Sequence, residues 1–233
     1  MARTMQYNGG KGSCAKELAY LLRSRSGPAM SYWEPFCGAC NVIAELPYFP
    51  WRIASDLDLS IISLLEAVQM GWEPPVSVSE EEYQRVRNEV DESEPLHAFC
   101  KYGCSFGGKP WGGYARSGDR NYAMNARNSL LKQASKLRAV QFISGAYDEV
   151  KVDADIIYCD PPYKGTTQVG AGGKFDTSAF WDWVRNRSKE SMVFVSELFA
   201  PEDFEEIWSK KLNDGLGARK ITEKLFVWKR GNR

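Results

Sequence analysis

A single histidine, His97, stands in the whole sequence. That shortage excludes chemistry built on several imidazoles, and a lone ring is more simply a packed or surface residue than a general base. It also thins the case for zinc. Cys37 and Cys40 form a C-x2-C and Cys100 and Cys104 a C-x3-C. Zinc sites, however, usually bring two tight pairs with further ligands in reach, so no metal is expected. No apolar run approaches the ~20 residues that span a bilayer. Met1 to Gly12 is polar and Gly-rich, without the apolar stretch of a secretory signal. A cytoplasmic protein whose six cysteines are thiols is therefore expected. There is no internal repeat, no low-complexity tract, no nuclease motif and no Walker-type Gly-Lys-Ser/Thr at the right spacing. Nor is there an excess of either charge, with 30 basic and 30 acidic residues.

Charge is nonetheless unevenly spread. From Glu73 to Glu94 there are eight acidic and two basic residues, whereas from Lys101 to Arg138 there are eight basic residues and only Asp119 as an acid. The tail from Arg219 to Arg233 holds six basic residues and one acid. Such asymmetry suits one face that meets phosphates, although a charge run alone equally describes a solvated helix face.

Hydrophobic periodicity predicts an α/β chain. Cys14, Leu18, Leu21 and Leu22 share a helical face that ends at Gly27-Pro28. Strands are expected over 30–34, 51–55, 140–143, 156–159 and 192–196. Helices are expected from about Asn41, over Leu59 to Met70 with Gly71 at C′, from the Ser79-x-x-Glu82 capping box to about Val90, and over about 121–137, 178–187 and 201–210. Two short strands are expected near Arg219 to Ile221 and Leu225 to Trp228. Strand–helix alternation argues for a parallel sheet with helices on its faces. The alternation breaks between 72 and 138. A mostly helical segment is expected there, and it includes the glycine-rich stretch Phe106 to Tyr114.

Two segments carry chemistry. Asp160-Pro161-Pro162-Tyr163 follows the apolar strand Ile156 to Cys159, and open α/β sheets place ligands at such carboxyl ends. A carboxylate at Asp160 and the Pro161 carbonyl can accept the two N–H bonds of an aromatic amine. Accepting them pushes electron density onto that nitrogen. Pro161 and Pro162 fix φ and so stiffen the carbonyl direction, and Tyr163 offers a ring for stacking. A Pro-Pro turn capped by an aspartate is the purely structural alternative. The second segment is Glu34-Pro35-Phe36-Cys37-Gly38-Ala39-Cys40 after another strand. A glycine there admits close approach to the backbone. Asp56 ends the next strand 18 residues beyond Gly38, the usual spacing of an acid that binds ribose hydroxyls, or it caps the following helix.

Taken in order, Tyr7-x-Gly9-Gly10-Lys11, Pro35-Phe36-Cys37-Gly38, Asp56 and Asp160-Pro161-Pro162-Tyr163 resemble the Dam-like (D12 class) DNA adenine-N6 methyltransferases over about 1–60 and 139–230. The resemblance implies a Rossmann-like, doubly wound catalytic domain over 1–71 and 139–233, interrupted by a DNA target-recognition region over 72–138. It implies S-adenosylmethionine as cofactor and double-stranded DNA as partner, with the target adenine flipped out of the duplex and no obligatory protein partner. By the same resemblance, Tyr7, Gly9, Gly10 and Lys11 hold the methionyl end of the cofactor. Phe36 and Gly38 line it, Asp56 takes the ribose and Tyr147 flanks the adenine. Lys109, Trp111, Tyr114, Arg116, Arg120, Arg127, Lys132 and Lys136 are the expected DNA contacts. Two residues depart from the pattern: Cys40 stands where a second glycine is usual, and Ala146 where an acid often precedes the aromatic. Both imply weaker cofactor binding. RNA adenine or DNA cytosine-N4 methylation, and a non-catalytic DNA-binding role on the same fold, remain as alternatives.

Overall fold

Five strands lie side by side and parallel: β1 (Ser31–Glu34), β2 (Trp51–Asp56), β3 (Val140–Ser144), β4 (Ile156–Cys159) and β5 (Met192–Ser196). A hairpin of β6 (Phe204–Asn213) and β7 (Lys220–Trp228) completes a seven-stranded sheet in the order β3-β2-β1-β4-β5-β7-β6, with β7 antiparallel to both neighbours. These coordinates come from a computed structural model and describe residues 5–7, 9–163, 175–213 and 220–229. Asn8 of the opening motif, and Arg219, Arg230 and Arg233 of the basic tail, lie outside the described residues.

The sheet buries both faces, as expected of strands between two helical layers. Tyr32, Ile156, Tyr158 and Phe194 point into one core, with α1 (Ala15–Arg25), α2 (Leu59–Gln69) and α5 (Tyr122–Leu137). Their neighbours Trp33, Ile157, Cys159, Val193 and Val195 point into the other, against α6 (Thr177–Arg187). This is a Rossmann-like, doubly wound architecture. Between α2 and α5 lie α3 (Glu80–Glu89), the short α4 (Pro95–Ala98) and a π-helical turn, Phe99–Gly103. Tyr83, Val86, Phe99 and Cys100 of this mostly helical stretch, with Ala126 and Leu130 of α5, join the first core. All six cysteines are buried free thiols. Among the described residues no helix is long and apolar enough to cross a membrane.

Three expectations need correction. The segment 201–210 is not a helix; most of it belongs to β6. Its adjacent apolar Ile207 and Trp208 mimic a helical pattern because a register shift between Glu206 and Trp208 breaks the two-residue period, and pairing with β7 overrides local preference. The two short terminal strands are one continuous β7. Past Asn41 the chain makes only a 3-10 turn, Ile43–Glu45. Cys40 before it has φ +54°, outside the helical region, and Pro47 after it disfavours helix at Leu46.

Candidate active site

The strand order reverses between β1 and β4: β2 and β3 lie on one side, β5 and the hairpin on the other. A parallel sheet opens a crevice at that point, at its carboxyl ends. Both chemical segments of the sequence emerge there, Pro35–Cys40 after β1 and Asp160–Tyr163 after β4.

Asp160 is drawn into a compact charged cluster. Lys11 Nζ lies 2.6 Å from Asp160 Oδ1 and 3.6 Å from Glu223 Oε1, and all three side chains are largely buried, at 7, 17 and 6% exposure. The Tyr163 hydroxyl donates a short hydrogen bond to Glu223, and Lys11 Nζ stands 4.7 Å from the centre of the Tyr163 ring. Burial pushes the Asp160 carboxyl up to about 6, held back by Lys11 and reinforced by the negative Glu223. Burial opposes the Lys11 charge, but Asp160 and Glu223 more than compensate and hold its pKa above the ordinary value. Deeper in, Glu34 accepts from Tyr32 Oη at 3.1 Å and from Ile43 N at 3.0 Å; its carboxyl is driven well up by burial. Glu223, the third charge of the cluster, carries no motif in the sequence. It arrives from β7, far along the chain, so no local spacing could have announced it.

Asp56 binds the backbone of both neighbouring loops. Its Oδ2 accepts from Gly38 N at 2.8 Å and its Oδ1 from Asp58 N at 3.0 Å, while its own carbonyl accepts from Gly145 N at 2.9 Å. Burial raises its carboxyl to about 6. The cap of α2 is Asp58, which accepts from Ser60 N, so Asp56 is free of that duty. An ionised carboxylate offers about four acceptor positions, and the two backbone bonds leave room for ribose hydroxyls. Gly38 has φ +45°, and a Cβ there would lie 2.8 Å from the Tyr7 ring, so the turn requires glycine. Phe36 and Tyr147 sit 5.2 Å apart, backed by Phe180 and Trp183, and form an aromatic wall beside this turn. Asn41 packs against Gly10, and its Oδ1 is buried without a partner among the described residues, an acceptor that fits a ligand amine. Cys40 adopts the left-handed backbone that glycine favours, while its side chain is fully buried. This cradle suits an adenosine-bearing cofactor with an amino group. Lys11, expected at the methionyl carboxylate, is instead turned to Asp160.

The expected DNA contacts divide into two groups. Lys109 and Lys132 are exposed, and so is Arg120, which stacks on Tyr122 at 4.7 Å. Arg116 is exposed but paired with Glu80, and Lys136 holds Glu45 at 2.6 Å. Arg127 bonds the Pro74 carbonyl and Glu73, both at 2.5 Å, and so faces its own chain. Trp111 packs edge-on against Tyr83 at 5.3 Å and His97 at 5.0 Å, and Tyr114 Oη donates to the Val78 carbonyl at 2.7 Å. Both aromatics brace the glycine-rich loop. Its Gly108 touches the backbone of Gln6 and Tyr7, so the loop leans on the cofactor segment. His97 is buried and packed, and burial lowers its pKa. No group of metal-ligating side chains occurs among the described residues.

Residues 111–193, which contain Asp160–Tyr163, match the family model of the D12 class N6 adenine-specific DNA methyltransferases. The likeness is to the D12 class. The matched span joins α5 and the sheet from β3 to β5, whereas the motif resemblance runs through the amino-terminal loops. The chain is 27% identical over 190 residues to the Retron Ec67 DNA adenine methylase of Escherichia coli, an alignment covering 71% of the chain. It spans 65% of that relative's length. Among solved structures, a candidate RNA methyltransferase from Pyrococcus horikoshii superposes with a TM-score of 0.48 at 12% identity over 94% of this chain and 85% of its own. The rRNA methyltransferase AviRa from Streptomyces viridochromogenes gives 0.43 at 12% identity over 92% and 84%. Both superpositions are too loose to bear on activity.

Proposed function

We propose that this chain is an S-adenosylmethionine-dependent methyltransferase acting on the N6 amino group of adenine in double-stranded DNA. One observation carries the reading: Asp160-Pro161-Pro162-Tyr163 stands at the carboxyl end of β4, at the reversal of the strand order, with its carboxylate largely buried. The D12 match over that segment and the DNA adenine methylase among its relatives support it.

The N6 lone pair is delocalised into the purine and is a poor nucleophile. Asp160 and the Pro161 carbonyl would each accept one N–H. That localises the pair on nitrogen, and fixed dipoles of this kind act most strongly in a site shielded from water. Tyr163 would stack on the base with the ring face not taken by Lys11. The cofactor, when bound, supplies an electrophilic sulfonium methyl. Gly38, Asp56, Phe36 and Tyr147 would hold it, with Gly9, Gly10 and Asn41 at its amino-acid end. The methyl must approach perpendicular to the ring plane, so the base must leave the stack at a cost of a few kcal/mol. The exposed cations of 72–138, Lys109, Arg116, Arg120, Lys132 and Lys136, would offset that cost on the phosphates, making this segment the target-recognition region of a cytoplasmic enzyme.

The test is transfer of a labelled methyl from S-adenosylmethionine to duplex DNA, followed by digestion to nucleosides. Label in N6-methyldeoxyadenosine, lost in Asp160→Ala, is the expected result. Label in N4-methylcytosine, in RNA alone, or in no nucleic acid would overturn the reading.

A further inference from the structure

Glu223 belongs to no motif, yet it is buried beside the reacting carboxylate. Burying a carboxylate is costly unless it is paired and hydrogen-bonded, and Glu223 holds two groups, the Lys11 ammonium and the Tyr163 hydroxyl. Those same two groups hold Asp160: Lys11 by an ion pair, Tyr163 by a hydrogen bond from its hydroxyl. The one ammonium faces both carboxylates, bonded to Asp160 at 2.6 Å and drawn by the charge of Glu223 at 3.6 Å. Building on the function proposed above, we infer that Glu223 is a positioning residue of this site: it shares Lys11 with Asp160 and fixes the Tyr163 hydroxyl, so that Asp160 keeps an acceptor oxygen for substrate and Tyr163 keeps its ring angle.

The charge arrangement supports this division of labour. The groups facing Asp160 are Lys11 and Cys14 from the amino-terminal turn, Glu34 from β1, Tyr158 and Cys159 from β4, Tyr163 beside it and Glu223 from β7. Only Lys11 stabilises the Asp160 carboxylate by charge; Glu223 opposes it. Without Glu223, Lys11 would turn wholly to Asp160. The carboxylate would become easier to ionise and, being tied up, a poorer acceptor for an N–H.

Glu223→Gln keeps the shape and removes the charge. Two effects are expected in opposite senses: kcat falls on the order of tenfold or more with KM for S-adenosylmethionine little changed, while the acid limb of the kcat profile moves to lower pH. Glu223→Asp, which restores the charge on a shorter arm, should return the limb towards its original position. The same shift is read without turnover by titrating 13C-labelled aspartate carboxyls, with Asp160 assigned by its disappearance in Asp160→Asn. A wild-type Asp160 titration in folded Glu223→Gln overturns the inference whatever the substrate is. So does a fall in kcat with an unmoved acid limb, because that is the signature of a merely structural role. Absence of methyl transfer by the wild type, with the titration shifted as expected, would sink the proposed reaction and with it the positioning role, while leaving the shared cation in place. Should Glu223→Gln not fold, the titration in Glu223→Ala and in Tyr163→Phe decides: an Asp160 unmoved in both refutes the arrangement.

Discussion

On the proposed function, the raised Asp160 carboxyl ties activity to pH in a direction that can be calculated. Accepting an N–H requires the ionised form, and burial places the half-ionisation point at about 6. At pH 7 roughly nine tenths of the enzyme would carry the carboxylate, and at pH 5 roughly one tenth, so kcat should fall about tenfold across those two pH units with a limiting slope of one. An ordinary aspartate, near 3.9, would leave the rate almost flat over the same interval. The assay is single-turnover methyl transfer with saturating cofactor and duplex, with circular dichroism at each pH to confirm an intact fold. Asp160→Ala should lose about 10²–10³ in rate at pH 7, the size of effect seen when one preorganised transition-state partner is removed, and its residual rate should no longer follow this limb. A flat wild-type profile from pH 7 to 5 with the fold intact would refute the placement of the reacting carboxylate in the buried cluster.

Lys11→Met removes the cation that holds the Asp160 carboxyl down, so the acid limb should rise to higher pH, opposite to Glu223→Gln; a limb that stays put would show that Lys11 does not face Asp160 in solution. Asp56→Ala strips an acceptor from Gly38 N and Asp58 N as well as from any ribose, and calorimetry should show S-adenosylmethionine binding weakened on the order of tenfold or more. Gly108→Ala puts a Cβ 2.6 Å from the Gln6 backbone at φ +69°, and thermal unfolding should show a loss of about 1–3 kcal/mol. Lys132→Ala with Lys136→Ala should flatten the salt dependence of duplex binding by about one unit of slope per lost phosphate contact; an unchanged slope would remove α5 from the DNA surface.

The parts of the fold written in short-range pattern were legible. Runs such as Ile156 to Cys159 are buried on both faces and bounded by turn residues, and Asn121 and Ser79 cap the helices they precede. What escaped depends on long-range pairing. The strand β6 reads as a helix until β7 lies beside it, and Glu223 reads as an ordinary strand residue until the hairpin carries it to Lys11. The position of Asp160–Tyr163 was readable because its residues directly follow a buried apolar strand and so stand at that strand's carboxyl end. Charge alone was a poorer guide. Arg127 belongs to the same basic run as Lys132, yet Glu73 and Pro74 engage it, because the acidic stretch that precedes the run folds back against it. The aromatic residues among the expected DNA contacts, Trp111 and Tyr114, likewise pack and bond within their own region.

The inserted segment and the cofactor cradle are physically one object, and this bears on how substrate and cofactor would communicate. Lys101, from the basic run, bonds Asp58 at 2.8 Å and Ser60 Oγ at 3.1 Å, and the Tyr102 hydroxyl bonds the same Asp58. Asp58 caps α2, and its backbone N–H donates to Asp56. On the other side the Tyr102 ring lies 4.7 Å from Tyr7, whose own ring fills the space a side chain at Gly38 would need. The loop from Phe106 to Tyr114 closes this circuit where Gly108 meets Tyr7. A force on that loop therefore has two rigid routes to the turn that Asp56 organises, one through hydrogen-bonded carboxylates and one through stacked rings. Packed, hydrogen-bonded elements of this kind move between discrete arrangements rather than yielding gradually. A duplex that presses on the glycine-rich loop would thus be felt at Gly38 and Asp56. On the proposed function, S-adenosylmethionine affinity measured by calorimetry should therefore change when duplex is added; equal affinity with and without duplex would refute the coupling.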